Sequence, residues 1–217
     1  MSFADLPPGT HADRVHDHWW WRPGWRAGRQ FFAWHLTFDG ASELHRLVAE
    51  YQRALAEIGG VRFIPPQWLH LTMQGIGFVD EVSSEDLDQI LDSARHRLAE
   101  VEPLKLTFQK VFVADEAIVL PPAEEASVIE IRRAIRQAIG SVRGSANIPE
   151  AADKFRPHVS LGYFEKDRTA ASYVAAVESV NLEPVQVTVQ EASLIALNRD
   201  HRMYEWSTRA VAPLSRS

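Results

Sequence analysis

The spacing of apolar residues changes in the same order in both halves of this 217-residue chain. Apolar residues alternate over 31–38, which predicts a strand, and their helical spacing over 44–58 predicts a helix. The first half continues with strand, helix and strand, and the second half repeats the whole order. This repeat predicts two similar lobes, each built from strands and helices.

The prediction treats 1–217 as a single bilobal domain that begins with an aromatic-rich arm. Residues 1–29 form this N-terminal arm. Its apolar residues follow neither the strand period nor the helix period, and it holds four of the seven tryptophans. The first lobe covers about 30–113, and the second covers about 117–217 and ends in a closing hairpin. The predicted strands are 31–38, 68–78, 106–113, 117–120, 157–164 and 185–197, and the predicted helices are 44–58, 84–101, 124–139 and 168–180.

Composition excludes several kinds of chemistry. The chain has no cysteine, so it has no thiol nucleophile, no thiolate zinc site and no disulfide. Its net charge of -6 argues against duplex DNA as a partner, because such a contact needs a basic surface. No signal peptide is apparent, and no run approaches the roughly 18 apolar residues of a membrane helix. We therefore predict a cytoplasmic monomer that contacts no membrane.

Two predicted strands carry the same short pattern, and their histidines are 88 positions apart in the sequence. His70 is followed two residues later by Thr72, and His158 is followed in the same way by Ser160. Because side chains alternate along a strand, each hydroxyl shares a face with its histidine. The pattern predicts a groove lined by two imidazoles and two hydroxyls.

Such a groove suits phosphoryl transfer without a metal. Near pH 7 one histidine can be neutral and another protonated, so a pair can act as general base and general acid on one phosphorus. Hydroxyl groups can donate hydrogen bonds to the non-bridging oxygens as charge develops on them. The same predicted faces carry Gln74 in the first motif and Gly162 in the second, where a missing side chain would allow a ligand to approach the strand closely.

Two segments resemble the paired signatures of the two-histidine phosphoesterases: WLHLTMQGIGF at 68–78 and FRPHVSLGY at 155–163. This superfamily includes the LigT-like bacterial 2'-5' RNA ligases and 2',3'-cyclic nucleotide phosphodiesterases. The resemblance implies a bilobal α+β fold with antiparallel sheets that flank a central groove, and no requirement for a metal or cofactor. It also implies a catalytic quartet of His70, Thr72, His158 and Ser160.

The implied activity is that of a hydrolase acting on a nucleotide or short RNA end with a 2',3'-cyclic phosphate or a 2'-5' linkage. For hydrolysis we interpret His158 as the base and His70 as the acid, although the two strands are nearly equivalent. An alternative is a nucleotide-binding module of the same fold with little or no turnover. A third hypothesis is an RNA-processing factor whose aromatic arm engages a longer strand.

Three further residues are candidate substrate contacts: His35, Gln74 and Arg156. His35 repeats the histidine pattern in the opening strand, where it either contacts substrate or is a hydrogen-bonded scaffold residue. Arg156 either holds a phosphate or forms a surface salt bridge. The group of Arg132, Arg133 and Arg136 is interpreted as a solvated helix face.

The arm allows two interpretations. Its tryptophans, at 19–21 and 25, either form a stacking platform for a nucleobase, with Arg22 or Arg26 near phosphate, or pack over a lobe. We favour packing, with one or two rings reaching the groove. A metal site at His16 and His18 is disfavoured because their spacing matches no ligand motif.

Overall fold

The computed structural model describes residues 3–216 and has an α+β architecture. Its strands are β1 Arg14–Val15, β2 Phe31–Thr37, β3 Val61–Phe63, β4 His70–Phe78, β5 Leu104–Phe108, β6 Phe112–Val113, β7 Ala117–Leu120, β8 Val159–Phe164, β9 Arg168–Thr169, β10 Val185–Val189, β11 Glu191–Asn198 and β12 Glu205–Pro213. Its α-helices are α1 Ser42–Leu55, α2 Ser84–Leu98, α3 Glu125–Arg143 and α4 Ala171–Ser179.

Eight strands form one antiparallel sheet in the order β12-β11-β2-β4-β8-β7-β6, with β3 paired to β8 off this path. The order is symmetric at its centre, because β4 and β8 are neighbours and each is flanked by the opening strand of its own half. Two smaller antiparallel pairs, β1 with β9 and β5 with β10, complete the sheets. The two histidine motifs therefore meet at the middle of the large sheet.

The helices form where apolar residues recur at helical spacing. The buried face of α1 holds Leu44, Leu47, Val48, Tyr51 and Leu55. Helix α2 begins after Ser83, whose hydroxyl accepts a hydrogen bond from the Asp86 amide at 3.0 Å, as an N-cap should. Helix α2 packs on α3, α3 packs on β4, and α1 contacts α4 and β8. These contacts hold β4 and β8 against a continuous apolar core.

Two long predicted strands are each divided in the structure. The predicted strand 106–113 becomes β5 and β6, and the predicted strand 185–197 becomes β10 and β11. Both divide for the same reason: β5 and β10 pair with each other outside the large sheet, whereas β6 and β11 stay in it. The predicted helix 124–139 continues to Arg143, where Gly144 follows with a positive φ of 78°.

The closing hairpin, β11 and β12, lies beside the first half of the chain. We expected it to complete the second lobe, but β11 pairs with β2 over five residue pairs. The hairpin covers the edge of β2 that would otherwise expose unpaired backbone groups. The strands of the two halves are thus interleaved, and the division into lobes at 113–117 stays a prediction. Within residues 3–216, no helix is long and apolar enough to cross a membrane.

Candidate active site

A cleft of about 610 Å³ opens over the central strands of the large sheet. All four residues of the predicted quartet line it, and so does His35. The cleft is also lined by side chains of the arm, which include His18, Arg22 and Trp25. Among the described residues the cleft therefore brings together the predicted phosphate site and part of the N-terminal arm.

The two motif histidines have the same backbone anchor. The Nδ1 atom of His70 lies 2.8 Å from the carbonyl oxygen of Trp68, and Nδ1 of His158 lies 2.8 Å from that of Arg156. A carbonyl oxygen can only accept a hydrogen bond, so Nδ1 must carry the proton in both rings. This tautomer leaves each Nε2 as the free acceptor of a neutral ring that lines the cleft.

The pairing of β4 with β8 sets the relative position of the motifs. Leu71 pairs with Val159 in antiparallel register. Continued by one residue in each direction, this register places His70 opposite Ser160 and Thr72 opposite His158, which directly precedes β8. The two histidines are then diagonal neighbours on one sheet face, with Cα atoms about 7–8 Å apart. This spacing leaves room for one phosphoryl group between the imidazoles.

Burial lowers the pKa of both histidines. It lowers the pKa of His70 to about 4, with a further contribution from nearby His158, although the hydrogen bond to the Trp68 carbonyl opposes the shift. Burial also lowers the pKa of His158. Both rings are therefore neutral near pH 7, before an anionic ligand enters the cleft.

His35 is a buried neighbour of the first motif. Its ring stacks on His70, with centroids 4.2 Å apart and planes 7° from parallel. Its Nε2 lies 3.5 Å from the Thr72 hydroxyl, at the limit of a hydrogen bond, and its Nδ1 has no hydrogen-bond partner within residues 3–216. Burial, with the nearby His70, holds the pKa of His35 well below its ordinary value. The third histidine is thus next to the site although its motif lies in β2.

Gln74 does not line the cleft, contrary to the shared face predicted for Thr72 and Gln74. The pairing of β2 with β4 shifts register between Trp34 and His35, so Met73 is an extra residue on β4. This bulge turns Gln74 to the core side, where it is fully buried. Its amide donates to the Pro149 carbonyl at 2.5 Å and to Glu150 at 3.0 Å. Gln74 therefore anchors the loop at Pro149 and Glu150 and does not line the cleft.

A second bulge changes the face assignments on β8. Between Ser160 and Gly162 the pairing with β7 shifts register, which makes Leu161 the extra residue. Tyr163 consequently lines the cleft, although the alternation placed it in the core. A Cβ atom on Gly162 would lie 2.6 Å from Val61 Cγ1, so this glycine permits close packing of β3 and not the approach of a ligand.

Arg156 does not line the cleft. Its guanidinium lies 4.1 Å from the Phe3 ring centroid and donates to the Leu6 carbonyl at 3.3 Å. Its Nε lies 3.8 Å from a carboxylate oxygen of Glu125. Its contacts therefore hold the start of the arm, and only its backbone carbonyl serves the site, as the anchor of His158.

The sequence predicts that Arg132, Arg133 and Arg136 form a solvated face of α3. This prediction is wrong for two of them, because only Arg133 is exposed. Arg132 is buried and donates to the Met73 carbonyl at 2.8 Å, and burial lowers its pKa to about 10. Arg136 donates to the side-chain oxygen of Gln74 at 2.6 Å. These bonds satisfy backbone and side-chain groups that the bulge at Met73 displaces.

Sequence reasoning missed His18, which the arm inserts into the wall of the cleft. Its Nδ1 lies 3.1 Å from Glu116, its Nε2 lies 3.0 Å from the Tyr204 hydroxyl, and its ring stacks on Tyr163 with centroids 4.2 Å apart. A carboxylate only accepts, so Nδ1 donates to Glu116 and Nε2 accepts from Tyr204. Burial lowers the pKa of His18. No sequence spacing indicates these contacts, since the partners lie 98 and 186 residues away.

The arm is docked by charged groups. Arg22 pairs with Glu116, and Arg199 donates to the His18 carbonyl at 3.0 Å. Burial would raise the pKa of Glu116, but its hydrogen bond with His18 and other donors lower it to about 2. His16 pairs with Asp115. Within residues 3–216, no group of three or more His, Cys, Asp or Glu side chains could hold a metal ion.

The sequence over residues 42–201 matches the family model of the 2'-5' RNA ligase superfamily. The matched region contains both histidine motifs and covers most of the chain. The chain belongs to the 2'-5' RNA ligase superfamily. The match begins after β2, so the arm lies outside the part of the chain that resembles this superfamily.

Solved structures share the fold at low sequence identity. TT0787 of Thermus thermophilus is 20% identical with a TM-score of 0.63, and the match covers 86% of this chain and 98% of that one. E. coli LigT complexed with 3'-AMP is 14% identical with a TM-score of 0.60, covering 86% and 98%. E. coli LigT complexed with ATP is 15% identical with a TM-score of 0.57, covering 86% and 99%. No curated protein sequence matches the chain.

Proposed function

We propose that this protein is a metal-independent phosphoesterase that acts on 2',3'-cyclic phosphates or 2'-5' phosphodiesters of nucleotides or short RNA ends. The observation that carries the proposal is the pair of histidines, His70 and His158, anchored alike through Nδ1 and lining one cleft from adjacent strands. Membership of the 2'-5' RNA ligase superfamily supports it. Nucleotide complexes of LigT, with ATP and with 3'-AMP, support a nucleotide as the ligand.

In the proposed reaction, a phosphodiester lies between the two imidazoles. The neutral Nε2 of one histidine takes a proton from water, the water oxygen bonds to phosphorus, and the bond from phosphorus to the leaving ribose oxygen breaks. The other histidine, protonated, gives its proton to that leaving oxygen. Thr72 and Ser160 donate hydrogen bonds to the non-bridging oxygens, where negative charge increases.

The depressed pKa values are compatible with this scheme because the substrate is an anion. A phosphate group between the rings stabilises an imidazolium and so raises the pKa of the histidine that must be protonated. Both histidines have the same Nδ1 hydrogen bond to a backbone carbonyl, so their geometry does not distinguish base from acid. The assignment of His158 as base and His70 as acid stays a prediction.

The test is hydrolysis of 2',3'-cyclic nucleotides and a 2'-5' linked dinucleotide with a chelator present. We expect turnover by the wild type, and a decrease in kcat of about 10²–10⁴-fold for both His70→Ala and His158→Ala. His96→Ala, which changes an exposed histidine of α2, is the matched control and should retain activity.

Activity that depends on metal, or that survives both histidine substitutions, would contradict the proposal. Tight nucleotide binding by folded wild type, with no product after long incubation, would instead favour a nucleotide-binding module with little or no turnover.

A further inference from the structure

Beyond the histidines, the cleft continues along β2 over small residues. His35, Ala33 and Phe31 all line the cleft, and Ala33 pairs with Gly75 of β4. At about 3.3 Å per residue, Phe31 lies about 13 Å along the strand from His35. Between the phosphate site and Phe31 the two strands carry only the small residues Ala33 and Gly75. The edge of the Phe31 ring and Oε1 of Glu150 lie against Gly75, so both groups meet at this part of the cleft.

An aromatic wall closes this end of the cleft. The Trp25 ring of the arm lies 5.7 Å from the Phe31 ring and 5.3 Å from the Phe78 ring, centroid to centroid. Trp25 is only partly buried and lines the cleft. The arm is fixed nearby, since Gly28 donates to Asp200 and Arg29 pairs with Asp80 at 2.8 Å. These contacts fix the position of the Trp25 ring at the edge of the cleft.

Glu150 provides a polar group at the same place. Its Oε2 accepts from the Gly75 amide at 3.2 Å and from Gln74 at 3.0 Å, whereas Oε1 accepts no hydrogen bond within residues 3–216. Its backbone has a positive φ of 57°, which a glutamate rarely adopts. Arg136 holds that conformation by donating to the Glu150 carbonyl at 2.7 Å. A strained backbone at a cleft often serves a functional side chain.

We propose that Trp25, Phe31 and Glu150 form a nucleobase subsite. The base stacks on the aromatic wall at this end of the cleft, and an exocyclic amino group donates to Oε1 of Glu150. The subsite rests on the proposed function, because it assumes that the phosphate of the same nucleotide lies between the motif histidines. Its Trp25 comes from the arm, which lies outside the region matched to the superfamily.

The stacking part is tested with two substrates, cytidine 2',3'-cyclic phosphate and ribose 2',3'-cyclic phosphate, which has no base. Trp25→Ala should raise KM for the nucleotide about tenfold and leave kcat unchanged, because stacking is equal in the ground and transition states. Kinetics with the base-free substrate should not change. Trp25→Phe should restore most of the affinity, and Trp21→Ala, an exposed arm tryptophan, is the matched control.

The polar part is tested with two pyrimidines, since cytosine has an amino group where uracil has a carbonyl oxygen. The wild type should prefer the cytidine over the uridine cyclic phosphate by at least about fivefold in kcat/KM. Glu150→Gln should remove this preference, because an amide presents a donor as well as an acceptor to the base. An equal decrease with both substrates would overturn the role of Glu150.

The results separate the subsite from the proposed function. Turnover of both cyclic phosphates with no effect of Trp25→Ala overturns the subsite and leaves the function intact. If no cyclic phosphate is hydrolysed, calorimetric titration of the same variants with cytidine 3'-phosphate decides the subsite. A tenfold loss of affinity in Trp25→Ala supports it, and unchanged affinity overturns it.

Discussion

The two histidine strands, β4 and β8, have the same backbone anchor and different surroundings. His70 is packed by the rings of His35, at 4.2 Å, and Trp206, at 5.2 Å between centroids. His158 is packed by the edge of Phe3 at 5.2 Å, and Arg156 also lowers its pKa by its charge. One motif thus lies among neutral rings of the scaffold, and the other lies under the start of the arm.

The difference shows that the two motifs give their histidine rings the same orientation but not the same electrostatic surroundings. The hydrogen bond from Nδ1 to a carbonyl two residues earlier is local, so each histidine forms it with its own stretch of backbone. The neighbouring rings come from distant parts of the chain. The two histidines therefore share an orientation but differ in how easily each takes a proton.

The largest expected effect tests whether both strands serve one phosphate. The double variant of His70→Ala and His158→Ala should lose about 10³–10⁴-fold in kcat/KM, close to the worse single variant, because acid and base act in one transition state. Kinetics of the two single variants and the double variant with one cyclic nucleotide measure this. Losses that multiply would indicate that the two strands act independently.

The next prediction concerns the pH dependence of stability. Unfolded His70 titrates near 6.5 and folded His70 at about 4, so the unfolded chain binds more protons between these values. The free energy of unfolding should be constant above pH 6.5 and should fall by roughly 3 kcal/mol, from this residue alone, as the pH decreases to about 4. Urea denaturation at several pH values measures it.

His70→Gln should weaken this pH dependence more than His158→Gln does. Equal slopes in both variants would mean that the surroundings of the two rings are electrostatically alike.

A smaller effect compares the packing of the two strands. Gly162→Ala should destabilise the fold by about 1–3 kcal/mol, because the new Cβ would meet Val61 Cγ1 at 2.6 Å and the Arg62 carbonyl oxygen at 3.1 Å. Gly75→Ala should cost less, since its nearest neighbour is the edge of the Phe31 side chain. Thermal denaturation of both variants measures the two losses of stability. A larger loss for Gly75→Ala than for Gly162→Ala would contradict the prediction.

The smallest effect concerns the rings that pack on the histidines. His35→Ala should lower kcat/KM about tenfold, because His70 loses the ring that fixes its plane. His35→Phe keeps a ring and should recover most of that loss, with a changed pH profile. Phe3→Ala, the equivalent change beside His158, should have a smaller effect. Steady-state kinetics from pH 5 to 8 would show whether His35 acts through His70 or only stabilises the fold.

Much of the site could be predicted because it depends on local pattern. Alternation and the repeat of element order predict that His70 and His158 line a common groove from corresponding strands, and both residues line the cleft. Alternation predicts the wrong face for Gln74 and Gly162 because one extra residue on a strand reverses the alternation after it. A bulge is defined by its pairing with another strand, so no feature of the bulged strand itself indicates it.

The arginines of α3 and the histidine of the arm show the same limit. No spacing in the sequence marks Arg132 or His18 as buried, and only the packing of distant elements buries them. Buried polar groups need partners, and those partners come from β4 for Arg132 and from Glu116 and Tyr204 for His18.

The sequence alone predicted the order of strands and helices and the four motif side chains that line the cleft, because each depends on spacing over a few residues. The tertiary structure decided which strands pair, where the bulges redirect side chains, and how the arm closes the far end of the cleft. These features depend on contacts between residues up to 186 positions apart, whose free energy exists only once the chain is folded.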